Sequence, residues 1–523
     1  MDYGYLLTDL TYSLLRLLTA YTMSIVAALL IGIPMGRSKL LEATLYPLID
    51  VLQSIPVLGF FPAVLLLVTK AVQPPLGAEL ASVILIFTGQ AWNLILGVYS
   101  AVKAVPEDFL MMSAIYRFNL AARLFKIYIP TALLSIASNS IVSWAGGLFF
   151  LTACEVISLG SEEFRLRGIG ADIVNLTAGG DFLGAYVGVA LLTGVSLALY
   201  MLLWNPLVNA VSALAGGSAV SYPAVNIFRA LSPHIFGRMP SPSNYVIYLL
   251  STRNLDVVLS RINLRKLFKA STSRVLAIAA VLTTLTIACL VVFKNVNTLK
   301  VDLAGLPWFN ATVGLLHSLF RVFTTILASF AFIAFAGFYA FEHGKVAKYI
   351  LIQLGEVLSS MPAFLWWSIF SLAVENGLIS PLLVSFLILF QGTAWYIFFN
   401  TPLAPPTEAE RRLYEVAQIY RLGVFKRFSR IYLPSMMPRI TAGLSAAWGG
   451  AWNSVIAAEY AQIGSKTIEF FGIGYLLNVA TIGGDINATL FYALYLAIFI
   501  VIVNRTFWRW LFTQAFMKYR VVE

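Results

Sequence analysis

The sequence predicts an all-α polytopic membrane protein of two parallel five-span repeats joined by one extra span. Three observations predict it. Apolar stretches long enough to cross a bilayer recur along most of the 523 residues. Basic residues gather in alternate gaps between those stretches. One set of short motifs also occurs twice, at a nearly constant offset.

Composition sets the class. Hydrophobic residues make up 59% of the chain and charged residues 11%, and the mean hydropathy is +0.84. A soluble chain of this length needs far more charge to cover its surface. The net charge of +11 would also suit a nucleic-acid binder, but the basic residues are spread between apolar stretches. That is the bias of cytoplasmic loops, so the expected surroundings are a lipid bilayer and no nucleic acid. Cys154 and Cys289 lie in or beside apolar stretches and match no metal or redox spacing, so packing is their expected role. His234, His317 and His343 are far apart, and no metal site is expected. Met1 to Asp9 is short and acidic and the first apolar stretch is long enough to span, so no cleavable signal is expected.

A spanning helix needs roughly 20 mostly apolar residues. On that measure the spans are 10–34, 43–69, 79–101, 130–153 and 182–205, a single span at 275–293, then 310–340, 347–374, 380–402, 434–457 and 484–510. Basic gaps follow the first span (Arg37, Lys39), the third (Lys103, Arg117, Arg123, Lys126) and the fifth. The long gap at 206–274 carries Arg229, Arg238, Arg253, Arg261, Arg265, Lys266, Lys269 and Arg274. Lys345, Lys348, the stretch Arg411 to Arg430 and the tail with Arg505, Arg509, Lys518 and Arg520 complete the set. All fall on one side of eleven spans if the N-terminus is outside and the C-terminus inside.

The repeat appears as ordered matches. Ile127-Tyr128-Ile129-Pro130 matches Ile431-Tyr432-Leu433-Pro434, an offset of 304. The same offset carries Trp144 to Trp448, Glu155 to Glu459, Gly168-Ile169-Gly170 to Gly472-Ile473-Gly474, and Gly179-Gly180-Asp181 to Gly483-Gly484-Asp485. Upstream it drifts slightly, pairing Ser13 and Arg16 with Ser318 and Arg321, and Ser54-Ile55-Pro56 with Ser360-Met361-Pro362. The expected organisation is a first repeat at 1–205, a basic cytoplasmic linker at 206–274, the extra span and an external loop at 275–309, and a second repeat at 310–523. Two five-span units joined directly would face opposite ways. The extra span makes them parallel.

The gap before the fourth span of the second repeat reads Glu415-Val416-Ala417, then Ile431-Tyr432-Leu433-Pro434. This resembles the cytoplasmic signature of type I ABC importer permeases: Glu-Ala-Ala, a Gly four positions after the second Ala, and Ile-x-Leu-Pro ten residues later. Ser-x-Pro in the second span, Ala457-Ala458-Glu459 ending the fourth and Gly-x-Gly before the fifth resemble the branch that imports nitrate, sulfonates, taurine or bicarbonate. The resemblance covers both repeats, but neither the linker nor the extra span. It implies a fused permease in the plasma (inner) membrane that does no covalent chemistry and binds no cofactor. The ATP would be bound by two separate ABC ATPase subunits, and an external binding protein would deliver a small anion. The coupling-loop positions it implies are Met111, Ser113, Arg117, Asn119 and Pro130 in the first copy, and Glu415, Ala417, Arg421, Gly423 and Pro434 in the second. The family's Gly position holds Arg117 and Arg421. Two residues later stand Asn119 and Gly423, types that tolerate positive φ, so the turn is expected to have moved by two.

Other polar residues in or near the spans are candidates for a gate or path: Pro56, Gln90, Asn93, Asn139 and Glu155, with Pro362, Gln391, Asn453 and Glu459. Glu155 and Glu459 lie 25 residues past Pro130 and Pro434. That is about 37 Å of helix against a hydrocarbon core of about 30 Å, which sets them near the outer face. Polar helix packing accounts for them equally well, and interhelical hydrogen bonds account for the amides. Pro56 and Pro362 are expected to kink their spans. The rival readings are an ion-coupled secondary transporter and a membrane-embedded enzyme. No paired intramembrane acids, nucleophile or metal cluster supports either.

The topology has a direct test. With Cys154 and Cys289 replaced, single cysteines near 75, 300 and 376 should react with an impermeant thiol reagent in right-side-out vesicles, and those near 240 and 415 should not. Labelling near 240 but not near 300 would overturn the orientation.

Overall fold

The computed structural model describes residues 3–204, 207 and 306–519, apart from 55, 74, 160, 161, 360, 362, 364, 401–407, 464 and 465. Most of the expected linker, and the expected span at 275–293, lie outside the described residues.

The two repeats fold in the same order. In the first, α1 (Tyr5–Ala27) continues through a π-turn at Ala28–Gly32 into Ile33–Arg37. Then come α2 (Lys39–Ser54), α3 (Val57–Ala71), α4 (Leu76–Lys103), the short α5 (Glu107–Ile115) and α6 (Ile129–Glu155). An antiparallel hairpin follows, β1 (Val156–Leu159) with β2 (Glu162–Arg165), and then α7 (Ile169–Ala178) and α8 (Phe182–Leu199). The second repeat runs α9 (Trp308–Ser359), α10 (Leu365–Glu375), α11 (Pro381–Asn400), α12 (Glu408–Ile419) and α13 (Leu433–Ala458). Its hairpin is β3 (Tyr460–Ile463) with β4 (Lys466–Glu469), followed by α14 (Ile473–Ile482), α15 (Ile486–Val503) and α16 (Arg509–Tyr519). The hairpins add to the helical reading. They are too short for period-two patterning to stand out.

Among the described residues six helices are long and apolar enough to cross a membrane, and the pair Leu124–Ser140 and Val142–Glu155, bent by 49°, makes a seventh. Of the other four expected spans, that at 275–293 lies outside the described residues, and three fall below these limits for physical reasons. The second span of each repeat is broken rather than kinked: α2 stops at Ser54 and α3 starts after Pro56, which has extended ψ. Proline lacks the N–H that would continue the ladder. The second repeat has a corresponding gap between Ser359 and Leu365, and Pro362 falls among the undescribed positions. α9 also bends at Gly344, where φ is 77°. α13 is continuous, but Arg439 and its Gly and Ser residues lower its hydropathy. Phe320, Phe323, Leu327 and Phe335 are exposed along α9, a surface that lipid would cover.

One cluster holds each repeat together. The Glu155 carboxylate, fully buried, ends α6. Its Oε1 accepts from Ser13 Oγ at 2.6 Å and Arg16 Nη1 at 2.7 Å, and its Oε2 accepts from Gly170 N at 2.8 Å. Ser13 Oγ in turn accepts from Ile169 N at 3.0 Å. In the second repeat Glu459 accepts from Ser318 Oγ (2.6 Å), Arg321 Nη1 (2.6 Å), Gly474 N (2.9 Å) and Tyr475 N (3.2 Å). Ile473 N donates to Ser318 Oγ at 2.9 Å. The first span, the fourth span and the start of a short helix thus meet at one carboxylate. The helix N-terminus supplies both unsatisfied N–H groups and the positive end of its dipole.

The same cluster explains the Gly-x-Gly runs. Gly168 and Gly472 have extended backbone, which any residue adopts. A Cβ at either would lie 2.3 Å from a carboxylate oxygen of Glu155 or Glu459. Glycine is required there by close approach.

The halves interlock reciprocally. The fifth span of the first repeat, α8, packs on α10, the outer piece of the second repeat's broken span, and α15 packs on α3 in return. Next to it, Thr177 Oγ1 of α7 donates to Ser368 Oγ of α10 at 2.8 Å. Such exchange of equivalent surfaces is what a pseudo-twofold interface requires.

Breaking a buried ion pair by removing one partner costs about 3–5 kcal/mol. Glu459→Ala and Gly472→Ala should therefore each lower the melting temperature of the detergent-purified chain sharply, the first by stranding Arg321 and the second by collision. A melting temperature unchanged in Gly472→Ala would show that the cluster is not the constraint described.

Candidate functional site: the two inter-span loops

Both loops are built alike. α5 ends in a turn at which Tyr116 N donates to Met112 O (2.9 Å) and Phe118 N to Ser113 O (2.8 Å). α12 ends with Tyr420 N donating to Val416 O and Leu422 N to Ala417 O, both at 3.0 Å. These bonds define a Schellman-type helix stop, which needs one left-handed residue just past the helix. That residue is Arg117 in the first loop (φ 51°) and Arg421 in the second (φ 49°).

This corrects the expected displacement of the turn. It has not moved to Asn119 and Gly423; arginine occupies the left-handed position itself. Asn119 and Gly423 have another task. Asn119 Oδ1 accepts from Ala122 N at 2.8 Å, capping the helical turn Leu120–Arg123. Gly423, with φ −61° and ψ 154°, is the N-cap of Val424–Arg427. Residues that tolerate positive φ also make good N-caps, so composition alone does not separate the two roles.

Pro130 and Pro434 are the second residues of α6 and α13. Each follows a π-turn, Leu124–Tyr128 or Phe428–Tyr432, that runs straight into α6 or α13. The wider turn accommodates a proline whose missing N–H would interrupt an α-helical ladder.

The loop residues sort by exposure. Ser113 and Ala417 are buried and seat each short helix, whereas Met111 and Glu415 are exposed. Ile115 (76%), Tyr116 (69%), Ile419 (77%) and Tyr420 (75%) are among the most exposed large apolar side chains, at equivalent places in the two loops. Paired exposed apolar residues on a short helix make a surface that a partner's groove can cover. The expected site did not include them, although the offset of 304 carries Ile115-Tyr116 onto Ile419-Tyr420.

The second loop is braced. Arg427 donates from Nε to Glu342 Oε1 at 3.0 Å and from Nη2 to Glu342 Oε2 at 2.5 Å, and Tyr414 Oη donates to Glu342 Oε1 at 2.5 Å. Arg427 Nη1 also holds Leu422 O at 2.9 Å. Hydrogen bonding to Glu342 raises the Arg427 pKa still further above its ordinary value. A bidentate arginine–carboxylate pair fixes geometry as well as charge, so the loop is tied to the end of the first span of its repeat.

The path candidates are dispersed rather than gathered. Asn453 Oδ1 accepts from Val57 N at 2.7 Å, so it satisfies the N–H at the break in the other repeat's second span. Gln391 donates to Leu358 O and Met361 O at 2.5 and 2.9 Å, at its own repeat's break. Asn139 bonds back to Ser135 O on its own helix. Asn93 is half-buried, and Gln90 is fully buried with neither side-chain polar atom partnered among the described residues. Glu155 and Glu459 are held in the buried clusters. Asn453 and Gln391 thus serve to mend the broken spans, and Pro56 creates one.

Residues 24–215 and 329–507 match the family described as binding-protein-dependent transport system inner membrane component. The chain belongs to that family. The match occurs twice, once in each repeat, so this is a duplicated permease. It is similar to the bicarbonate transport system permease protein CmpB of Synechocystis sp., 25% identical over 148 residues covering 28% of this chain and 50% of that protein. It is also similar to the nitrate import permease protein NrtB of the same organism, 26% identical over 120 residues, 23% of this chain and 41% of that one. The NrtB of Synechococcus elongatus is 25% identical over 119 residues, 23% and 40% of the two chains. The permease spans about half the length, or less, of these relatives. No solved structure matches it.

A left-handed arginine costs about 1–2 kcal/mol relative to a conformation without strain, and glycine is free of that cost. Arg421→Gly should therefore raise or preserve the melting temperature, and Arg421→Val should lower it markedly. Gly423→Val should have little effect, because its dihedrals suit any residue and no atom lies within 4 Å of an added Cβ. The reverse order would place the turn at 423.

Proposed function

We propose that this permease supplies both membrane halves of an ATP-driven importer in the plasma membrane, carrying a small anion of the bicarbonate or nitrate kind. Each loop docks one ATPase subunit, and an external binding protein delivers the substrate. The observation that carries the reading is the second appearance of the loop, with its left-handed arginine and exposed Ile-Tyr pair repeated at an offset of 304. Two equivalent docking helices suit two copies of a partner. The names of the relatives point to small monovalent anions. ATP binding on the partners would close them and pull both loops, exchanging inward for outward access along the reciprocal interface between the halves.

An ion-coupled transporter would need a titratable carboxylate free to load and release a cation. Glu155 and Glu459 instead accept hydrogen bonds from an arginine, a serine and backbone amides. That engagement supports the ATP-driven reading.

The loops are not equivalent in charge. Removing a charged docking residue whose partner is then left unpaired costs on the order of 2–5 kcal/mol at a buried interface, whereas an exposed Met contact typically costs less. Glu415→Ala should therefore lower transport-coupled ATP turnover in reconstituted vesicles roughly tenfold or more, and Met111→Ala should lower it less. Equal losses would refute the asymmetry, and full activity when Arg117 and Arg421 are each reversed in charge would remove the loops from the docking role.

A further inference from the structure

The brace on the second loop has no counterpart in the first. An offset of 305 carries Ser13 to Ser318, Arg16 to Arg321 and Gly32 to Gly337, and so Arg37 to Glu342; the offset of 304 carries Arg123 to Arg427. At the two positions where the second repeat pairs a carboxylate with a guanidinium, the first carries two arginines. Arg37 Cζ stands 5.1 Å from the ring centroid of Tyr128, at the foot of the helical segment that carries Arg123. Arg37 Nε and Nη2 and Arg123 Nε are shielded from solvent and have no hydrogen-bond partner among the described residues. Both side chains are only half-buried as wholes, so each keeps an edge at the surface. A nearby acid in sequence, Glu42, is already engaged by Lys103 and by Tyr99.

Guanidinium N–H groups shielded from solvent, with no partner among the described residues, are costly unless an anion joins them. We propose that Arg37 and Arg123 form a phosphate-binding site that takes the headgroup of an anionic phospholipid, which braces the first loop as Glu342 braces the second. The fork of guanidinium donors matches phosphate oxygens. A lipid is favoured over a soluble phosphate by position. Arg37 closes the 33-residue apolar run Tyr5–Arg37, and Arg123 directly precedes the apolar helix Leu124–Ser140. Both therefore stand where spans meet headgroups. Leu40 and Leu120, close to them in sequence, are exposed at 73% and 51%, and offer apolar surface to the acyl chains. The site is inferred from repeat geometry and does not depend on the transport reading.

The test compares the full chain with Arg37→Glu, which rebuilds in the first repeat the carboxylate–arginine pair of the second. The chain is exchanged into phosphatidylcholine nanodiscs with or without phosphatidylglycerol, and retained lipid is counted by native mass spectrometry after detergent release. The wild-type chain should retain one more phosphatidylglycerol than Arg37→Glu, and its melting temperature should rise with that lipid. Arg37→Glu should melt at least as high in phosphatidylcholine alone and should not respond to phosphatidylglycerol. Arg123→Gln should also lose the lipid, which decides the matter if Arg37→Glu folds poorly. Equal retention by wild type and Arg123→Gln would overturn the site. Stabilisation by inorganic phosphate in detergent, without preference for phosphatidylglycerol, would overturn the lipid as its source. Loss of ATPase capture by Arg123→Gln with lipid retention unchanged would assign the site to an acidic group of the ATPase instead.

Discussion

A carboxylate buried at the end of the fourth span is the constraint on which each repeat depends. Glu155 and Glu459 cannot remain ionised in an apolar bundle without several donors, and those donors come from three different elements. An arginine and a serine from the first span, and the amides that open a short helix, must all arrive at one point. This fixes the angle at which the chain leaves the fourth span, which in turn places the hairpin and the start of the fifth span. It also excludes a side chain at Gly168 and Gly472. Residues scattered over about 150 positions of each repeat therefore recur together because they share one site.

The repeats match where this constraint acts and diverge where it does not. Arg16 is additionally held by Glu79, Nε to Oε2 and Nη2 to Oε1 at 2.6 Å each, while the matching part of the second repeat begins with Pro381 and Leu382. The loop end diverges more, with Glu342 in one copy and Arg37 in the other. The fold is thus a symmetric scaffold with two unlike ends. Reciprocal packing of α8 on α10 and α15 on α3 joins the halves, each fifth span lying against the broken span of the other repeat.

Much of this was legible in the sequence. The duplication, the order of the elements and the residues of the buried cluster all stood out because matches at a constant offset need no knowledge of contacts. What those residues do together was not legible. Ser13, Arg16, Glu155 and Gly170 are brought into contact only by tertiary packing, and Glu155 read as a gate candidate as readily as a structural acid. The turn was misplaced because Asn119 and Gly423 carry the composition of a left-handed residue while serving as caps. The breaks were not legible because hydropathy averages across them: Pro56 interrupts the helix without interrupting the apolar run. The brace at Glu342 was missed because it has no repeat partner, and the search for repeats is blind to what only one copy possesses.

The central claim is that one chain supplies both halves of the permease and therefore both docking loops. The most direct measurement is the subunit ratio of the assembled transporter, obtained by native mass spectrometry of the permease co-purified with its ATPase. A single permease chain carrying two ATPase subunits is the predicted result. Two permease chains around a pair of ATPases, or a permease that binds none, would contradict it.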